Sequence, residues 1–224
     1  MPDGAACAIT GAMALRPRQN RVLRQMYFCM NDLLRTSAGN SISSRYDFCR
    51  MVIIGDEMPL LKILEFPDAR LKSMAQPIAR VDKQIQQLAD DMAETMYDAP
   101  GIGLAAPQVA AGHRLIVVDV SENRNDLLTL VNPEIIASTG EEEMKEGCLS
   151  VPGVLEMVRR AEKVTVRATT VQGRTIELEA DGLLAVCLQH EIDHLNGTLL
   201  VDHLSRLKQN LIRRKADKRV RLGD

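Results

Sequence analysis

The sequence predicts an α+β fold: mixed or antiparallel sheets packed around one central buried helix, with a basic helix closing the chain. Three observations predict it. Residues 113–181 carry several strand-like segments, two of which flank the turn-forming "VQGR" around Gly173. The stretch "ADGLLAVCLQHEIDHLNG" follows them and is apolar nearly all round, so it reads as a buried helix. Finally, "LSRLKQNLIRRKADKRV" has the pattern of an amphipathic helix, with eight basic residues and one acid between Arg206 and Arg221.

The orderly pattern begins at Met58. Residues 1–57 contain no lysine, seven arginines, three of the five cysteines and four of the six aromatic residues, and no helical or strand period persists there. They read as an N-terminal extension: a disordered arm, a processed targeting segment, or the product of an early start codon, with Met58 as a natural first residue. Residues 58–224 then read as one ordered domain. Within it, Val81, Ile85, Leu88, Met92 and Met96 fall at helical spacing, with Asp82 as N-cap and Pro100-Gly101 as terminator. "HRLIVVDV" (113–120) and "LLTLVNP" (127–133) read as strands. "EKVTVRAT" and "RTIELEA" alternate apolar and polar residues and form a hairpin. The buried helix starts at a capping Asp181 and stops at Asn196-Gly197.

Composition excludes several classes. With 28 basic and 30 acidic residues, bulk electrostatic binding to DNA is not the main activity. Five cysteines without framework spacing do not make a secreted disulfide scaffold and fit a reducing cytoplasm. No apolar run approaches the ~20 residues of a membrane helix.

The chemistry concentrates in "QHEIDHLNG" (189–197). His190 and His194 lie one helical turn apart, so both rings project from one face and can hold a single metal ion, with Glu191 beside them to move protons. The ion needs a third ligand. Where metzincin proteases carry a third histidine after the glycine, this chain has Leu200; thermolysin-like proteases use a later glutamate, and none follows His194. Cys187 lies seven residues before His194, ~10.5 Å along the axis, too far for bonds of ~2.0–2.3 Å from one side of a helix. It reads as a small core residue. Cys148, in the irregular "EGCLSVPG" (146–153), remains. A thiolate and two imidazoles leave the fourth position open, the mark of a catalytic site.

Three motifs, "GIGLAAPQV" (101–109), "EGCLSVPG" and "QHEIDHLNG", resemble those of the peptide deformylases, in the same order and with similar separations, across residues 58–224. The resemblance implies a metal-dependent hydrolase that removes the formyl group from the N-terminal methionine of new polypeptides and releases formate. It implies Cys148, His190 and His194 as ligands of Fe2+, with Zn2+, Ni2+ or Co2+ as substitutes. Metal-bound water is the nucleophile it implies, and Glu191 the general acid and base. Gln108 and the backbone N–H of Leu149 match the family's oxyanion donors. Gly101, Ile102 and Gly103 match the segment that binds substrate, the glycines letting backbone approach it closely. The family also docks on the ribosome near the peptide exit tunnel through a C-terminal helix, similar in placement and charge to Arg206–Arg221. An HExxH metallopeptidase is the competing reading, and a non-catalytic metal-binding module a third. Glu146 is expected to pair with Arg159 or Arg160 or to be solvated, Asp193 to lie behind the site or face solvent, and His113, opening a strand, and His203, opening the last helix, to be ordinary histidines.

Overall fold

The structure, a computed structural model, describes residues 60–222; the expectations for residues 1–57 fall outside them. Seven strands and three α-helices follow a short 3-10 turn at Ala69–Lys72. Helix α1 (Lys83–Asp98) begins where expected: the Asp82 carboxylate accepts from the N–H groups of Gln84 and Ile85, satisfying two donors that a helix start leaves unpaired. Its end is tied by Ala99 N–H to the Thr95 carbonyl and Gly101 N–H to the Met96 carbonyl.

Strands β1 (Gly103–Ala105), β2 (Leu115–Val118), β3 (Leu128–Thr139), β6 (Lys163–Thr169) and β7 (Thr175–Asp181) form one antiparallel sheet in the order β1-β2-β3-β6-β7. Strands β4 (Glu142–Gly147) and β5 (Leu155–Arg160) pair separately. The hairpin turns at Gly173, whose φ of 79° is the left-handed conformation glycine adopts without a Cβ clash.

Helix α2 (Gly182–Leu195) covers one face of the large sheet and α1 the other. This explains why β2 is apolar throughout. Ile116 and Val118 pack with Leu188 and Ile192 of α2, while Leu115 and Val117 pack with Met92 and Met96 of α1, as the two-residue period of a strand requires. A third apolar cluster, including Leu71, Val151, Leu199 and Ile212, supports the cysteine segment and receives the single buried residue of the terminal helix α3 (Arg206–Leu222).

Three details differ from the sequence reading. Asp181 occupies the N-cap of α2, but its side chain makes no capping bond. β1, β4 and β5 emerge as strands where periodicity was too short or too polar to announce them. His203 ends a 3-10 turn (Leu200–His203) instead of opening the last helix.

Candidate metal centre

Two separate parts of the chain converge on one point. α2 presents His190 and His194 from its buried face, and the turn after β4 presents Cys148. That turn is pinned from several sides: Val151 N–H donates to the Cys148 carbonyl at 2.9 Å, and Phe66 N–H to the Ser150 carbonyl at 2.8 Å. Cys148 Sγ lies 3.3 Å from His194 Nε2, and one ligand atom from each of the three residues falls within 4.8 Å of the others. A tetrahedral ion with ordinary bond lengths separates sulfur from nitrogen by roughly 3.6 Å, so the group fits a metal with little adjustment. Among the described residues, no other group of three such side chains comes together in this way.

The surroundings fit an ion too. His190 Nδ1 donates to Glu146 Oε2 at 2.8 Å, which leaves Nε2 for coordination, the usual arrangement of a carboxylate behind a metal-bound histidine. Glu146 is in turn gripped by Arg160 through Nε at 2.8 Å and Nη2 at 3.1 Å. Burial alone would raise the Glu146 carboxyl, but the hydrogen bonds from His190 and Arg160 outweigh it and hold the pKa at about 2. Burial opposes a charge on His190, yet hydrogen bonding to Cys148 and Glu146 raises its pKa well above normal; a metal ion at Nε2 would displace that proton and leave a neutral ring with its Nδ1–H on Glu146. His194 is pushed far down by burial and is neutral, the form that ligates.

Glu191 sits beside the two histidines on the same helix, only 4% exposed. Its Oε2 and the Nδ1 of His194 are buried polar atoms without a hydrogen-bond partner among the described residues. Burial lifts the Glu191 carboxyl to about 7, where it can both take and give a proton near neutrality. A buried carboxylate oxygen without a partner is costly unless a bound group uses it.

Gln108 enters from the 3-10 turn Ala106–Val109. Its Oε1 accepts from Ala105 N–H at 2.7 Å, so the amide cannot flip, and Nε2 is turned toward Ser150 Oγ at 3.1 Å and Cys148 Sγ at 3.9 Å. Leu149 directly follows the cysteine and is half-buried. A Cβ on Gly101 would meet Leu149 Cδ1 at 2.8 Å, and one on Gly103 would meet Glu191 Oε1 at 2.3 Å. The space that Gly103 leaves is thus taken by Glu191. Ile102, between the glycines, is exposed, and its carbonyl accepts from Asp119 N–H at 2.8 Å.

Cys187 is buried and its thiol is pushed up in pKa by that burial, as a core residue should be. Arg160, not Arg159, is the partner of Glu146; Arg159 faces solvent near Glu141 and Glu143. Two roles escaped the sequence reading. The His190–Glu146 bond was invisible because it joins residues 44 apart. Ser150 had no signal at all, being recognisable only by its burial against Gln108.

Comparison with known proteins agrees with this geometry. The polypeptide deformylase family profile matches residues 60–210. Peptide deformylase 2 of Nitrosomonas europaea is 53% identical over 175 residues, covering 78% of this chain and 92% of that protein. A crystal structure of a peptide deformylase from Legionella pneumophila is 52% identical, with a TM-score of 0.70 over 74% of this chain and 98% of that one. Another, from Ehrlichia chaffeensis in complex with actinonin, is 38% identical, with a TM-score of 0.70 over 72% and 98%. A Cys/His/His group that could hold a metal ion, on an α+β frame, and these likenesses lead to one conclusion: the chain belongs to the polypeptide deformylase family.

Proposed function

We propose that residues 58–224 act as a catalytic domain that hydrolyses the N-formyl group of formyl-methionyl nascent peptides, with Cys148, His190 and His194 holding one Fe2+ ion. The observation that carries this reading is a half-buried sulfur and two buried imidazoles within 4.8 Å of one another, next to a buried carboxylate with an unpartnered oxygen. A divalent ion held there supplies Lewis acidity, acidifying water and polarising a carbonyl. The donor set of one thiolate and two imidazoles suits iron and also accepts Zn2+, Ni2+ or Co2+.

The chain's own residues do the rest. Glu191 accepts a proton from the attacking water and passes it to the methionine nitrogen as the C–N bond breaks, so that formate and a free amine leave. Gln108 Nε2, locked by its bond to Ala105, and the Leu149 N–H are the donors for the oxyanion of the tetrahedral intermediate. The Gly101-Ile102-Gly103 segment offers exposed Ile102 to the substrate while its second glycine leaves room for Glu191. The test is the product. Incubated with a formyl-methionyl tripeptide, the metal-loaded protein releases formate stoichiometrically and leaves the internal amides intact; cleavage of an internal amide without formate would restore the metallopeptidase reading.

Helix α3 is the surface for ribosome docking in this proposal. Ile212 is buried, while Arg206, Arg214, Lys215, Lys218 and Arg221 are exposed. Five outward cations suit RNA phosphates near the exit tunnel, where formyl-methionine first emerges. Changing Arg214, Lys215, Lys218 and Arg221 to Gln weakens co-sedimentation with ribosomes and flattens its salt dependence by about one log unit per lost phosphate contact. Formate release from free peptide stays as it was. Unaltered sedimentation would place docking elsewhere. No helix among the described residues is long and apolar enough to cross a membrane, and a substrate made on ribosomes argues for action in the cytoplasm.

A further inference from the structure

Behind the ligands runs a ladder of charged groups that the reaction does not use directly. Arg160 is almost wholly buried, with side-chain exposure of 6%. It spends Nε and Nη2 on Glu146 and Nη1 on Asp193 Oδ2 at 2.5 Å. Asp193 lies three residues after His190 on α2, so His190, Glu146, Arg160 and Asp193 close a ring across one helical turn. The same Asp193 Oδ2 accepts a second bond, from His203 Nε2 at 2.8 Å. Asp193 and His203 are a quarter to a third exposed, whereas Glu146 and Arg160 are buried. His203 is therefore the outer clamp of the ring. It stands on the 3-10 turn whose Leu200 and Val201 are buried, a rigid mount.

We propose that His203 is a positioning residue for the metal ligand His190, acting through Asp193, Arg160 and Glu146. The physical reason is the geometry of a guanidinium fork. Arg160 is a rigid plane whose three used nitrogens set its tilt, and Glu146 follows that tilt because it is bound at two points. Without His203, Asp193 can rotate outward and hydrate, Nη1 of Arg160 loses its acceptor, and the carboxylate that aims the His190 ring is freed to turn. A partly exposed ion pair adds little to global stability. A carboxylate behind a metal-bound histidine is worth 10- to 100-fold in metal affinity. The effect of His203 should thus appear at the metal and hardly at all in the melting temperature.

This inference rests on His190 being a metal ligand, as proposed above. The full-length protein is loaded with Co2+, and loss of the ion into excess chelator is followed by its visible absorption. His203→Ala releases cobalt about 3- to 10-fold faster than wild type, a smaller effect than losing the carboxylate itself, from which His203 is three contacts removed. KM for the formyl peptide and the melting temperature stay close to wild type. His203→Gln, whose amide N–H can reach Asp193, restores the rate to within about twofold. Asp193→Asn also speeds release, and adding His203→Ala to it changes nothing more, since both act through one link. A wild-type release rate in His203→Ala, or additive effects in the double variant, overturns the role of His203. Failure of the wild type to bind one cobalt per chain overturns the metal-site reading together with it, so the two failures are told apart.

Discussion

Glu191→Gln lowers formate release by about 10²- to 10⁴-fold while the protein keeps one metal ion per chain. Glutamine has the size and shape of glutamate but cannot take a proton from water or hand one to a leaving amine. Glu191 stands outside the Cys148–His190–His194 group, so the ion has no reason to leave. The substitution also removes a buried carboxylate whose Oε2 has no hydrogen-bond partner among the described residues. Fold stability therefore stays level or rises. Metal content, melting temperature and formate release measured on one preparation separate the possibilities. Wild-type turnover in Glu191→Gln would remove the proposed acid–base group, and loss of the ion would show Glu191 to be a ligand instead.

The second large effect is expected at a residue without a side chain. In Gly103→Ala, a methyl group arises 2.3 Å from Glu191 Oε1 and 2.8 Å from Cys187 Sγ. Neither distance is tolerable, and the sulfur is held in a packed core, so the carboxylate must move. Overpacking of this kind costs about 1–3 kcal/mol of stability. Displacing a catalytic group by an ångström costs more, on the order of 10²-fold in kcat. Turnover should therefore fall far more than the melting temperature does, with the metal still bound. A stable Gly103→Ala protein with unchanged kcat would mean that Glu191 does not work from the place it occupies here.

Much of this was legible because it is local. Spacing put His190 and His194 on one face of α2, and Asp82 announced the start of α1 through a capping bond that spans two or three residues. Alternation marked β6 and β7 and the turn at Gly173. β4 and β5 were hidden because a two-stranded ribbon exposed on one side carries charges at many positions, as "EEMKEG" does. Asp181 looked like a cap from its residue type, but its side chain makes no bond to the helix start.

The sequence by itself determined the family and singled out the three candidate ligands and the proposed acid–base glutamate, since each is written in short motifs whose geometry follows from helix periodicity or from tight turns. Only the tertiary structure decided which groups stand behind them. Glu146 aims His190, Arg160 and Asp193 tie that carboxylate back to the same helix, and Gly103 yields its space to Glu191. These contacts join residues 14 to 88 positions apart in the chain. No local rule encodes such pairs; they arise when sheet, helix and cysteine turn are packed together and every buried charge must find a partner.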